Sequence, residues 1–115
     1  MNVLTEIIET ADSIMGTLEE SEFFNQYLFC DPMELRREIE IQMQRNWEQE
    51  GDFYMSDNQF INIVEIVSKR GIESALIGAI EKGLVVIDSI DKNGDLLYAL
   101  NPDITIVDMG TVNLN

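Results

Sequence analysis

Glu34, Glu38 and Glu40 crowd one stretch of this chain, and Glu73 and Glu81 stand eight positions apart in another. Carboxylates grouped in this way attract cations and can stand in for the phosphates of a nucleic acid. Catalysis would need more than that. The chain has no histidine, which removes the commonest general base and a usual metal ligand. Its one cysteine, Cys30, therefore has no imidazole to activate it and reads as a small buried hydrophobe. The run Asp91-Lys92-Asn93-Gly94-Asp95 opens like a twelve-residue calcium loop but lacks the later glycine and the closing glutamate, so it reads as a turn. Gly71, Gly78 and Gly83 are spaced as helix residues and helix stops, not as a phosphate-binding loop. No catalytic residue, cofactor or metal site is expected, and the chain reads as a non-enzyme.

Charge sharpens this picture. Against 22 Asp and Glu stand 7 Lys and Arg, a formal net of −15. Thirteen of the acids precede Ser56 and nine follow it, so the folded body and not one tail carries the negative field. Small DNA-binding modules draw most of their affinity from Lys and Arg on phosphates, which disfavours direct nucleic-acid binding here. At 115 residues, 45% hydrophobic and 8% aromatic, the chain is expected to fold as a single domain. No apolar run is long enough for a membrane span, and the first residues lack the basic start of a signal peptide. With one cysteine and no internal disulfide, a reducing, cytoplasmic setting is expected.

The elements that would position these groups follow in order. Val3, Leu4, Ile7, Ile8, Ala11, Ile14, Met15 and Leu18 make a helical apolar stripe, with Gly16 weakening its end. Four aromatics fall between Phe23 and Phe29, where a short helix begun at Ser21 would anchor Phe24, Tyr27 and Leu28 in the core. Asp31-Pro32-Met33-Glu34 combines an Asp cap, Pro at the first helical position and an early glutamate. That helix should reach about Gln49 before Gly51, with Leu35, Ile39, Met43 and Trp47 on its inner line and Arg36 and Arg37 available for ion pairs within it. Together these elements form a helical part over 1–50.

The clearest signals come next. Ser56 and Gln59 have capping-box spacing, and Phe60, Ile63, Val64 and Val67 recur at helical period until Gly71. Ala75, Leu76, Ala79 and Ile80 make a second stripe, ended by Gly83. Two apolar runs, Leu84 to Ile90 and Leu96 to Leu100, then flank Asn93-Gly94, the pair favoured for a type I′ hairpin turn. A turn centred there pairs Ile90 with Leu97 and Asp88 with Ala99. The expected class is mostly α with a C-terminal β-hairpin, an α+β fold.

Helix, tight turn at Arg70-Gly71-Ile72, a second helix ending in Glu81-Lys82-Gly83-Leu84, then a hairpin with Asn-Gly at its tip: this succession over 56–100 resembles the winged-helix superfamily. The resemblance implies a winged-helix-like domain preceded by amphipathic helices, with Glu73–Lys82 as recognition helix and Val85–Leu100 as wing. Residues 101–115 would add a strand or tail, with Ile104–Val107 as the strand and a frayed or captured end beyond it.

Three functions fit. The first is a small acidic regulator or inhibitor, in the manner of the DNA mimics of viruses and mobile elements, that engages a basic protein or the nucleic-acid-binding surface of one through Glu34, Glu38, Glu40, Glu73 and Glu81. The second is a winged-helix transcription regulator that touches DNA with Lys69, Arg70, Lys82 and Lys92. The third is a structural subunit of a larger assembly. The Val3–Leu18 helix and the C-terminal tail are the two places where a homodimer would form.

Overall fold

The computed structural model describes residues 2–106 and 112–114. Where length alone implies a single domain, the chain divides into two compact units, Met1–Ile72 and Glu73–Asn115. Its class is mostly helical with a C-terminal antiparallel β-hairpin.

In the first unit, helix α1 spans Val3–Glu20 and starts where Asn2 Oδ1 accepts from the Leu4 N–H at 3.1 Å. It runs unbroken through Gly16. A single turn, α2 (Phe23–Gln26), follows Glu22, which takes a left-handed conformation at φ 60°. Helix α3 (Pro32–Glu50) begins as its sequence demands: Asp31 Oδ1 accepts from the Met33 N–H at 3.0 Å and Pro32 occupies the first turn. Gly51, at φ 73°, ends it in the left-handed conformation. Asp12 of α1 meets Arg36 of α3, while Leu4 and Ile8 line a hollow with Ile41 and Gln44, so the two helices run antiparallel.

Helix α4 spans Asp57–Glu81. The Ser56 hydroxyl accepts from the Gln59 N–H at 3.2 Å, and Gln59 Oε1 accepts from the Ser56 N–H at 3.1 Å, closing the reciprocal cap. Ile63, Val64 and Val67 enter the core, which they share with Ile7, Ala11, Met15, Cys30, Leu35, Ile39, Met43 and Phe53. Two expectations for the core fail. Leu28 is 76% exposed and Tyr27 half-exposed; Phe24 packs inward as expected, joined by Phe23, which stacks on Tyr27 with ring centroids 4.5 Å apart. Trp47 is also partly exposed, and Asn46 takes the inner position after Met43.

Gly71 does not end a helix. The backbone stays helical through it, so the segment expected as a separate recognition helix, Glu73–Lys82, is the C-terminal part of α4 followed by Lys82. The turn expected at Arg70-Gly71-Ile72 is therefore absent. Glycine has a steric role at this position instead. A Cβ at Gly71 would overlap the Phe29 carbonyl oxygen and lie 2.8 Å from its carbon, so glycine serves here to let α4 pass close to another backbone.

In the second unit, Gly83 at φ 74° ends α4 as expected. Strands β1 (Val85–Ile90) and β2 (Leu96–Leu100) pair antiparallel with Val85 opposite Leu100, Ile87 opposite Tyr98, Ser89 opposite Leu97 and Ile90 opposite Leu96. The register differs by one residue from an Asn-Gly-centred turn. Asp91 Oδ1 accepts from the N–H groups of Asn93 (2.8 Å) and Asp95 (2.9 Å), and only Gly94 needs a positive φ, so the loop spans Asp91 to Asp95. An extra residue in β1, Asp88, then forms a β-bulge between Ile87 and Ser89 and widens the difference to two residues beyond it, so that Val86 and not Asp88 lies opposite Ala99. Val85, Ile87, Ile90, Leu96, Tyr98 and Leu100 therefore share one face, and the last five are all at least 42% exposed. Asn101 ties the base of the hairpin, its side-chain amide donating to the Gly83 carbonyl at 2.6 Å. Strand β3 (Ile104–Ile106) forms where a strand was expected, and it pairs antiparallel with β4 (Val112–Leu114) as a sheet of its own, where a frayed or captured end was expected. Val107 and Asp108, which that expectation also covered, lie outside the described residues.

Candidate protein-binding surface

Helix α1 carries Glu6, Glu9, Asp12, Glu19 and Glu20 and no Lys or Arg. Backbone dipoles favour cations at a helix C-terminus, yet α1 ends in Glu19-Glu20, α3 in Glu48-Gln49-Glu50 and α4 in Glu81, with no basic residue in any of the three last turns. Across Met1–Ile72 there are fifteen Asp and Glu against five Lys and Arg.

Two of those five cations are occupied. Arg70 of α4 donates to Glu34 at 3.0 Å and Glu38 at 3.2 Å on α3, contacts that raise its pKa, Glu34 first. Arg36 binds Asp12 across to α1 and Glu40 one turn on at 3.2 Å, again with a raised pKa, Asp12 first. The expected acidic set is thus redistributed. Glu34, Glu38 and Glu40 are half-buried braces within the helical unit, whereas Glu73 and Glu81 are exposed in the second unit. The alternative cationic set is divided as well: Lys69 and Arg70 lie on α4 in the first unit, Lys82 and Lys92 in the second, and Arg70 is committed to Glu34 and Glu38. Glu19, Glu20, Glu48 and Glu50, which have no ion-pair partner among the described residues, were not singled out from sequence. Their signal was legible as acid at helix ends.

Between α1 and the entry to α4 lies an open groove of about 510 Å³. Ile14, Leu18, Met43, Met55 and Phe60 supply apolar lining, and Thr10, Ser13 and Thr17 belong to its α1 wall. Asp57 is its one charged lining residue. The size falls among those of small binding sites. The Tyr54 side of the groove is held from within by Asn46, 4% exposed, whose amide donates to the Tyr54 carbonyl at 3.0 Å and to Gln59 Oε1 at 2.9 Å.

No family model, curated protein or solved structure matches this chain. Among the described residues no cluster of His, Cys, Asp or Glu has the arrangement of a metal site, and no helix is long and apolar enough to cross a membrane.

Cys30 is 2% exposed. Burial pushes its thiol pKa up; the nearby Ser68 hydroxyl pulls the other way, more weakly, and Asp31 and Glu34 add to the rise. Ser68 Oγ itself has no partner with good hydrogen-bond geometry. A thiol that binds its proton more tightly when folded stabilises the fold below its unfolded-state pKa and loses that contribution as pH rises through the folded value. Stability should therefore fall above the ordinary thiol value of 9.0 in Cys30 and fall less in Cys30→Ala, as urea melts at successive pH values would show. The folded thiol should also resist a disulfide reagent at neutral pH.

Proposed function

We propose that this chain is a small acidic, non-enzymatic protein-binding regulator or inhibitor that engages a basic surface of a partner, such as the nucleic-acid-binding face of a DNA- or RNA-processing protein. One observation carries the reading: carboxylates sit unpaired at the C-terminal ends of α1 and α3, where the helix's own field opposes them. Acid placed only for solubility needs no such positions. A cationic partner relieves both the end effect and the mutual repulsion of a net −15 chain.

The same placement predicts the sign of two substitutions. Glu20→Lys and Glu50→Lys should each raise stability by roughly 0.3–1 kcal/mol at low ionic strength, as measured by thermal melts. Both should weaken partner binding.

Core histones serve as a cationic probe of the reading. A labelled DNA duplex bound to them should be released as the chain is added at low salt, and the release should fade as salt rises. A shift of the duplex by the pure chain alone would favour instead direct DNA contact through Lys69, Lys82 and Lys92. No release at any salt would overturn the reading.

A further inference from the structure

Along α1, Glu6, Thr10, Ser13, Thr17 and Glu20 follow one another at steps of four, three, four and three residues. On a helix those steps keep side chains on one narrow stripe, the spacing of a seam against which a second helix lies at a shallow angle. The three middle residues line the groove described above, beside Ile14 and Leu18 of the same helix. They bear no charge, and the Thr17 hydroxyl is already spent, donating to the Ser13 carbonyl at 3.0 Å. The stripe is thus uncharged at its centre and carries a carboxylate at each end. Asp57, on the entry to α4, adds the groove's own negative charge. From Glu6 to Glu20 the stripe is about 20 Å long, four turns of helix.

We infer that this groove takes an amphipathic helix of the cationic partner, its apolar residues lying over Ile14, Leu18, Met55 and Phe60 and its Lys or Arg side chains reaching Glu6, Glu20 and Asp57. Charge complementarity selects this occupant. A second copy of the chain would bring carboxylates to carboxylates, and an anionic amphiphile would meet Asp57 and both ends of the stripe with repulsion. A helix suits the groove because its apolar side chains, at the same steps of three and four, can lie along this stripe at a shallow angle. This inference rests on the proposed function and adds to it the site and the shape of what binds there.

The test uses the full chain and a labelled eighteen-residue peptide with leucines at seam spacing and lysines flanking them. A scrambled peptide of identical composition and a peptide with glutamate for lysine serve as comparisons, with affinities read by fluorescence anisotropy. The ordered basic peptide should bind at least tenfold more tightly than the scrambled one, and the acidic one should not bind. The double variant Ser13→Arg, Thr17→Arg should lose at least tenfold in affinity with its circular dichroism unchanged, since both positions are exposed. Glu20→Lys should show a smaller loss. Equal binding of ordered and scrambled peptides, or an unaffected double variant, would overturn the groove site and leave the proposed function standing. Failure of every basic peptide to bind at low salt would overturn both.

Discussion

Gly71→Ala should destabilise the protein by about 3 kcal/mol, the upper range for forcing a methyl group into a filled contact. In an unconstrained helix interior the same change gains up to about 1 kcal/mol, because alanine loses less backbone freedom than glycine on folding. The expected sign is reversed here because the new Cβ would overlap the Phe29 carbonyl oxygen, a backbone atom that cannot rotate away as a side chain would. Gly78 gives the matched comparison on the same helix. A Cβ there meets nothing within 4 Å, so Gly78→Ala should stabilise by roughly 0.5–1 kcal/mol. Urea melts of the two variants therefore ought to move in opposite directions. Parallel shifts would mean that α4 does not pass Phe29 as described.

Asn46→Leu should lower stability by about 2–3 kcal/mol despite adding apolar surface to a buried position. The side chain joins the Tyr54 carbonyl to Gln59, and Gln59 in turn accepts the Ser56 N–H at the start of α4. Leucine leaves that carbonyl and the Gln59 amide without their protein partners, and the cost of a stranded polar group exceeds the modest gain of one hydrogen bond. Asn46→Asp keeps an acceptor for the Gln59 amide, which donates to Asn46 Oδ1 at 3.2 Å, but loses the donor and buries a charge. Its melting temperature should accordingly recover as pH drops toward the carboxyl range, while that of Asn46→Leu should not. A leucine variant as stable as the parent would show that the network contributes nothing.

Much of the helical unit was legible because its signals are local. Asp31-Pro32 opening α3, the Ser56–Gln59 cap, Gly51 as a stop and the Ile63–Val64–Val67 stripe each depend on residues within a turn or two of one another. What escaped depends on residues far apart in sequence. Gly71 looks the same whether it ends a helix or admits a neighbouring backbone, and Phe29 decides between the two. Glu34 and Glu38 read as free acid until Arg70, from another helix, lies across them. Asn46 was hidden by a pattern carried one step too far: after Leu35, Ile39 and Met43 the inner line moves by three residues, not four, and reaches Asn46 before Trp47. In the hairpin, Asn-Gly correctly marked a turn. The Asp91 carboxylate, by gathering two N–H groups, then lengthened the loop and displaced the register. The groove was invisible for the same reason as the Arg70 braces, since its walls come from three separate stretches of chain.

The bulge at Asp88 has a consequence for how β1 bears a change in its length. Losing one residue from an alternating strand ordinarily inverts everything beyond the cut, sending inward side chains outward. Here the residues on either side of Asp88 already face consecutive partners, Tyr98 and Leu97, so the ladder would close over the gap. A hairpin shortened by Asp88 alone would keep Ile87 and Ile90 on their shared side, whereas removal of Val86 would scramble it.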